Sequence, residues 1–379
     1  MESSENLRPN SMNLRHALGQ YFTVSEFLQK KVCEFVQNNN CKILEPSFGA
    51  GHLLKNFMNR KLVCYEIDSS IKPVVKFNKK HKVHYCDFLT TEIRERFGTI
   101  IGNPPYVKNS SGNLYIKFIE KCFELLTEHG EMVFIVPSEF IKVTRSKKFI
   151  QKMCSVGTFT HFWFPHDEKL FENASIDVVV FRYQKTQDLN TFVNGLENYY
   201  SVSDGMITFS QNTGTVISDL FHVYVGMVSG KDEVFKHKNG NIDILVDENR
   251  YEKFVFVEEP NEYLLKYKDV LMNRKIKKFD ESNWFEWGAP RNKKNIESNK
   301  GKKCIYVKTI TRSNKVAFEG TVDYFGGTLL CMIPKSDDVN IENVISFLNS
   351  EDFRKNFTFS GRFKIGQRQL SCSFIQNHS

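Results

Sequence analysis

No apolar run in this chain approaches the ~20 residues that cross a bilayer as a helix. The opening stretch, MESSENLRPNSMNLRHALGQ, lacks the apolar centre of a secretory signal. Together these absences predict a soluble protein of the cell interior with no membrane partner. Cysteine pairs are missing too: nine cysteines are scattered singly from Cys33 to Cys372, and C-x-x-C does not occur. An odd, unpatterned set argues for reduced thiols and against both a disulfide framework and a zinc ribbon. His81, His84 and Cys86 fall close together in HKVHYC, but no second ligand cluster accompanies them, so no metal is expected. Internal repeats, low-complexity tracts and a nuclease motif are also absent.

The composition is otherwise that of a globular protein, 41% apolar and 25% charged over 379 residues, long enough for two cores. A net charge of +8 is unevenly spread. Residues 274–315 hold thirteen Lys or Arg against four acids, while Arg354, Lys355, Arg362, Lys364 and Arg368 in 354–368 meet none. Charge runs are commonly only solvated faces. Here Trp284, Phe285, Trp287, Tyr306, Phe357, Phe359 and Phe363 are interleaved with them, as a nucleic-acid surface needs.

From Gln20 the pattern becomes regular. Val24, Phe27, Leu28, Val32, Phe35 and Val36 recur at helical spacing, with Thr23 and Glu26 in capping-box register. Short apolar strands follow at 42–45, 62–67, 83–87 and 99–102, then a helix bearing Tyr115, Phe118, Ile119, Cys122, Leu125 and Leu126. Further strands are expected at 130–137, 158–164 and 176–183, the last two joined without a clear helix. Alternating strands and helices predict an α/β fold whose mostly parallel sheet is covered on both faces, with one reversed strand at its edge. Beyond about residue 190 the alternation fades through the polar QKTQDLNTFVNG, placing a boundary near 190–205 and two domains at 1–200 and 201–379.

Ligands of open α/β sheets bind at the carboxyl ends of the strands. Four of those ends carry polar residues here. Glu45 precedes Gly49 and Gly51, two glycines that let backbone approach a ligand, although the third glycine of the dinucleotide fingerprint is missing. Glu66 and Asp68 suit ribose hydroxyls. Asp87 can accept from an exocyclic amine, and Phe88 can lie on a purine. Each has an ordinary reading as well: Thr23 and Asp87 as helix caps, Glu66 or Asp68 as solvated acids, Phe118 as core. Their ordered recurrence, each at a strand end, describes an adenosine site.

The fourth end reads TIIGNPPYVKNS (99–110). An Asn-Pro is usually a turn, but a double proline fixes two φ angles and extends Asn103, giving a stiff loop that can hold a carbonyl and an amide in place. With YFTVSEFLQKKV, ILEPSFGAGHLL, YEID, CDFL, GNPPYV, LYIKFIEKCFELL, GEMVFIVPSEF and LFENASIDVVVFRYQK in that order, residues 18–185 resemble the S-adenosylmethionine-dependent DNA adenine-N6 methyltransferases. The motif order is that of the gamma-type, TaqI-like group. VYVGMVSGKDEVFK (223–236) and SGRFKIGQRQLS (360–371) look more loosely like stretches of the group's recognition domains.

The resemblance implies a Rossmann-like methyltransferase sheet followed by a mixed α+β target-recognition domain. It further implies that Tyr21, Thr23, Glu45, Pro46, Ser47, Gly49, Gly51, Glu66, Ile67, Asp87, Phe88, Asn103 and Phe118 contact S-adenosylmethionine. Asn103 and Pro104, braced by Pro105, would hold the target amine, with Tyr106 and Tyr183 on the two faces of a flipped adenine. Two departures stand out: Phe48 inside the glycine loop, and Tyr183 where Phe is expected. Double-stranded DNA would be the partner, met as a monomer, and a separate restriction endonuclease could accompany the protein. RNA adenine methyltransferases share these features. Glutamine methyltransferases acting on release factors share NPPY but carry little chain after it, and a catalytically dead DNA-binding subunit would not need Asn103, Pro104, Glu45 and Glu66 intact.

Overall fold

The computed structural model describes residues 23–109, 112–165, 170, 176–209, 214–359 and 361–375. Tyr21 lies outside them. The chain falls into two compact units, 1–211 and 212–379.

In the first unit, α1 (Glu26–Phe35) buries Leu28, Val32 and Phe35 along one stripe. Its cap is Ser25, whose hydroxyl accepts from the Leu28 amide at 3.4 Å, and not Thr23, whose side chain turns to Asn103. The strands are β1 (Ile43–Glu45), β2 (Leu62–Glu66), β3 (His81–Tyr85) and β4 (Phe97–Gly102). α2 (Leu114–Leu125) leads directly into β5 (Leu126–Pro137), and α3 (Lys147–Val156) precedes β6 (Thr158–Trp163). β7 (Val178–Gln184), β8 (Thr191–Val193) and β9 (Leu196–Asn198) complete one sheet, in the order β9-β8-β6-β7-β5-β4-β1-β2-β3.

The sheet is mostly parallel, as expected. β7 runs against β5 and β6, between which it is inserted, and β9 closes one edge antiparallel to β8. This is a Rossmann-like sheet. Neighbouring residues of the central strands enter opposite cores: Ile100, Phe134 and Phe181 on one face, Ile101, Val133 and Val180 on the other. Burial on both faces is why these strands read as unbroken apolar runs.

The parallel strands place Glu45, Glu66, Gly102 and Pro137 along one edge of the sheet. At the opposite edge lies a buried ion pair, Arg182 Nε to Glu131 Oε2 at 2.9 Å, with side chains 2% and 0% exposed. Glu131 also accepts from the Gln37 and Asn38 amides and from the Thr99 hydroxyl, so it ties β5 to β4, to β7 and to the turn after α1. The hairpin of β10 (Tyr200–Ser203) and β11 (Met206–Phe209) belongs to this unit because Ile207 and Phe209 enter its core.

The second unit has its own core. A four-stranded antiparallel sheet in the order β12-β18-β15-β17 is built from β12 (Phe221–Val225), β15 (Lys303–Lys308), β17 (Ala317–Thr321) and β18 (Leu329–Pro334). β13 (Ile242–Asp247) and β14 (Arg250–Phe254) form a hairpin, and α4 (Ile341–Asn349) packs on β17. A three-stranded sheet combines β16 (Ile310–Thr311), β19 (Thr358–Phe359) and β20 (Arg362–Lys364), with β20 central.

Trp284, Phe285, Trp287, Tyr306, Phe357 and Phe363 are all at most 9% exposed. They are core residues, which corrects the expectation that they alternate with cations on a nucleic-acid surface. The side chain of Phe359 lies outside the described residues. Arg274 is likewise internal, donating to the carbonyls of Leu271, Ser229, Trp284 and Glu286.

Candidate active site

At the carboxyl edge, Thr23, Glu45, Ser47, Phe48, Gly49, His52, Leu53 and Asn103 line a cleft of about 30 Å³. The enclosed part of the cleft is thus about the size of a water molecule. Glu45, the last residue of β1, is 1% exposed, and neither carboxylate oxygen has a hydrogen-bond partner among the described residues. Burial and then the neighbouring Glu66 push its carboxyl well above the ordinary range, while the nearby Ser47 amide only weakly opposes this.

The glycine loop carries its own requirement. Gly49 and Gly51 both have positive φ, at 53° and 79°, and a Cβ on Gly51 would lie 2.9 Å from Val75. This conformation directs the Gly49 amide to Glu66 Oε2 at 2.8 Å. The Asp68 amide reaches Oε1 at 2.9 Å. Glu66 is thus held by backbone donors at the rim, with burial still raising its pKa. Ile67 beyond it is 58% exposed, an apolar side chain turned to solvent beside the acid. Pro46 is buried and meets the end of β4, where a side chain on Gly102 would lie 3.4 Å from the proline ring.

Asn103 lines the same cleft as Glu45. Its amide nitrogen donates to the Thr23 hydroxyl at 3.0 Å, which leaves the side-chain oxygen turned the other way. The Tyr106 hydroxyl donates to that oxygen and also lies 3.1 Å from the Ile135 carbonyl. The Ser47 hydroxyl reaches the Asn103 carbonyl loosely, at 3.5 Å. Pro104 is buried, with Pro105 and Tyr106 half-buried, and the Tyr106 ring meets Tyr115 edge-on.

Asp87, two residues past the end of β3 and so at the same edge of the sheet as Glu66, lines an open groove of about 840 Å³ with Leu114, Lys117, Lys121 and Phe149. Its carboxylate accepts from the Leu89 amide at 2.8 Å. Phe88 is 2% exposed, with one face on Phe118 and the Lys121 ammonium 4.8 Å from its ring centre. It is a core residue with no face to offer a purine. Phe118, 7% exposed, backs it.

Tyr183 corrects the sequence reading outright. It is fully buried, donates to the Met153 carbonyl at 2.8 Å and packs on Phe123 and Phe159. β7 is antiparallel to β5, so Val178 pairs with Pro137 at the cleft edge, while Tyr183 pairs with Met132 towards the other end. A residue there cannot reach a base held by Asn103. In turn, the sequence reading missed His52 and Leu53 in the cleft wall. No signal beyond their place after the glycine loop marks them.

Residues 52–171 match the family model of the Eco57I restriction-modification methylase. Curated relatives include the type II methyltransferases M.HincII of Haemophilus influenzae, 28% identical over 46% of this chain and 38% of its own length, and M.MjaIV of Methanocaldococcus jannaschii, 28% identical over 43% and 65%. The chain resembles restriction-modification DNA methyltransferases. It spans less than two thirds of each of those relatives. M.BsuBI of Bacillus subtilis is 26% identical over 41% of this chain and 42% of its own. Among solved structures, the DrdV–DNA complex aligns with 86% of this chain and 50% of that one at 11% identity and a TM-score of 0.48. The M protein of the EcoKI type I restriction enzyme aligns over 48% and 47%, at 12% identity and 0.38.

Proposed function

We propose that the protein transfers a methyl group from S-adenosylmethionine to the N6 amine of an adenine flipped out of a short duplex DNA site. The observation that carries the reading is a single cleft lined both by the buried carboxylate of Glu45, without a partner among the described residues, and by Asn103, the first residue of the Asn-Pro-Pro-Tyr loop. A cationic ligand is what Glu45 lacks, and S-adenosylmethionine carries both an ammonium and a sulfonium. When bound, the cofactor supplies a methyl already activated for transfer. Glu45 and the backbone of Ser47, Gly49 and Gly51 would hold its amino-acid end. Glu66 would take the ribose hydroxyls, and Ile67 and Asp87 the adenine.

The target amine is a poor nucleophile because its lone pair is delocalised into the ring. Two acceptors, the Asn103 side-chain oxygen and the Pro104 carbonyl, each taking one N–H, favour a pyramidal nitrogen with a free lone pair. That preference acts mainly in the transition state. Thr23 fixes which end of the amide serves. The Tyr106 hydroxyl, which holds the oxygen meanwhile, turns its single proton to Ile135 when the amine arrives. Its ring then offsets part of the lost stacking of the flipped base. With Asn103→Ala, incorporation of tritiated methyl into DNA should fall by about 10²–10³-fold, the usual effect of losing one such group. Equal incorporation by both proteins would falsify the assignment. Modified-base sequencing of DNA from expressing cells identifies the base and site.

A further inference from the structure

We propose that the outer face of the three-stranded sheet β16-β20-β19, carrying Arg312, Arg362 and Lys364, is the surface on which duplex DNA lies. This rests on the functional reading above and names the contact surface it requires. The strand register joins two basic stretches far apart in the chain: Ile310 pairs with Lys364 and Thr311 with Phe363. Phe363 is 2% exposed and faces the core, so strand alternation turns Arg362 and Lys364 outward, where both are exposed. Ile310, 47% exposed, shares their face. Continuing the register sets the exposed Arg312 beside Arg362.

Like charges directly across a strand pair disfavour the fold that holds them. No Asp or Glu occurs from residue 353 to the end or between 298 and 318, and these three cations make no ion pair among the described residues. Their neighbours differ. Lys308 and Lys315 are neutralised by Asp247 and Glu248, and Lys300 and Lys303 by Asp323 and Glu319. Six of the thirteen Lys and Arg read in 274–315 are thus paired with acids. What is left on this sheet is an acid-free patch that a polyanion would relieve. Arginine forks suit phosphates and guanine edges. Ile310 adds the apolar contact that a sugar or thymine methyl offers, and a strand ribbon is of a size to enter a major groove.

The test measures affinity of the full chain for a 30-base-pair duplex against KCl concentration. Arg312→Ala/Arg362→Ala/Lys364→Ala should bind at least 30-fold more weakly, with a salt slope shallower by about 2–3, since each phosphate contact contributes roughly 0.9. The variant Lys275→Ala/Lys278→Ala/Lys294→Ala removes as many exposed charges elsewhere and should change the slope by less than about 1. Cofactor affinity and circular dichroism should match the wild type in both. If the first variant keeps the wild-type slope while the wild type methylates DNA, this surface is refuted and the functional reading stands. If the wild type shows no salt-dependent duplex binding, both fall.

Discussion

A carboxylate shielded from water and left without donors destabilises the chain that carries it. Glu45 is in that position, and its raised pKa means that the folded protein holds the proton more tightly than the unfolded one. The empty protein should therefore lose stability as pH rises from the ordinary glutamate range through the raised value. Glu45→Gln should flatten that slope and raise the melting temperature at neutral pH, while abolishing cofactor binding by calorimetry. A variant that melts as the wild type does at every pH would contradict the account. Tyr106 separates two roles in one side chain. Tyr106→Phe keeps the ring and removes the hydroxyl that donates to the Asn103 oxygen, so turnover should stay within about threefold. Tyr106→Ala should lose about tenfold or more, from ~1–3 kcal/mol of base stacking, and single-turnover rates distinguish the two.

The elements explain which assignments the sequence could support. Strand ends were legible because parallel strands deliver their last residues to one edge. Thr23, Glu45, Ser47, Gly49 and Asn103 accordingly meet in one cleft. Tyr183 went astray because a strand's direction is not written in its apolar pattern, and a reversed β7 carries its later residues to the wrong end. Phe88 failed for a related reason: a residue just beyond a strand end can turn inward as easily as outward. Arg182, the fifth residue of the same β7, has a purely structural partner. Arg182→Met leaves Glu131 charged and buried, and should cost about 3–5 kcal/mol in denaturant unfolding. The residual folded fraction should still bind cofactor, because the pair lies at the opposite edge of the sheet from the cleft.

On the scale of the whole chain, composition proved a poor guide to where charge is available. The cations of 274–315 were visible in the sequence, but not the acids that neutralise them, since Asp247 and Glu248 come from a hairpin far upstream. Aromatic residues between cations suggested a stacking surface, yet Trp284, Trp287 and Tyr306 belong to the core of the second unit. Fading alternation placed a boundary near 190–205, whereas the chain divides at 211/212. That position depended on a hairpin whose two apolar residues belong to the earlier core.

The orphaned acid beneath the glycine loop also bears on the protein's fate in a cell. On the proposed reading, S-adenosylmethionine supplies the counter-ion this fold lacks, and binding would tighten the fold through mass action. Proteases act on whatever fraction is open, so the amount of this protein should follow the supply of methyl donor, with starved cells clearing it faster than replete ones.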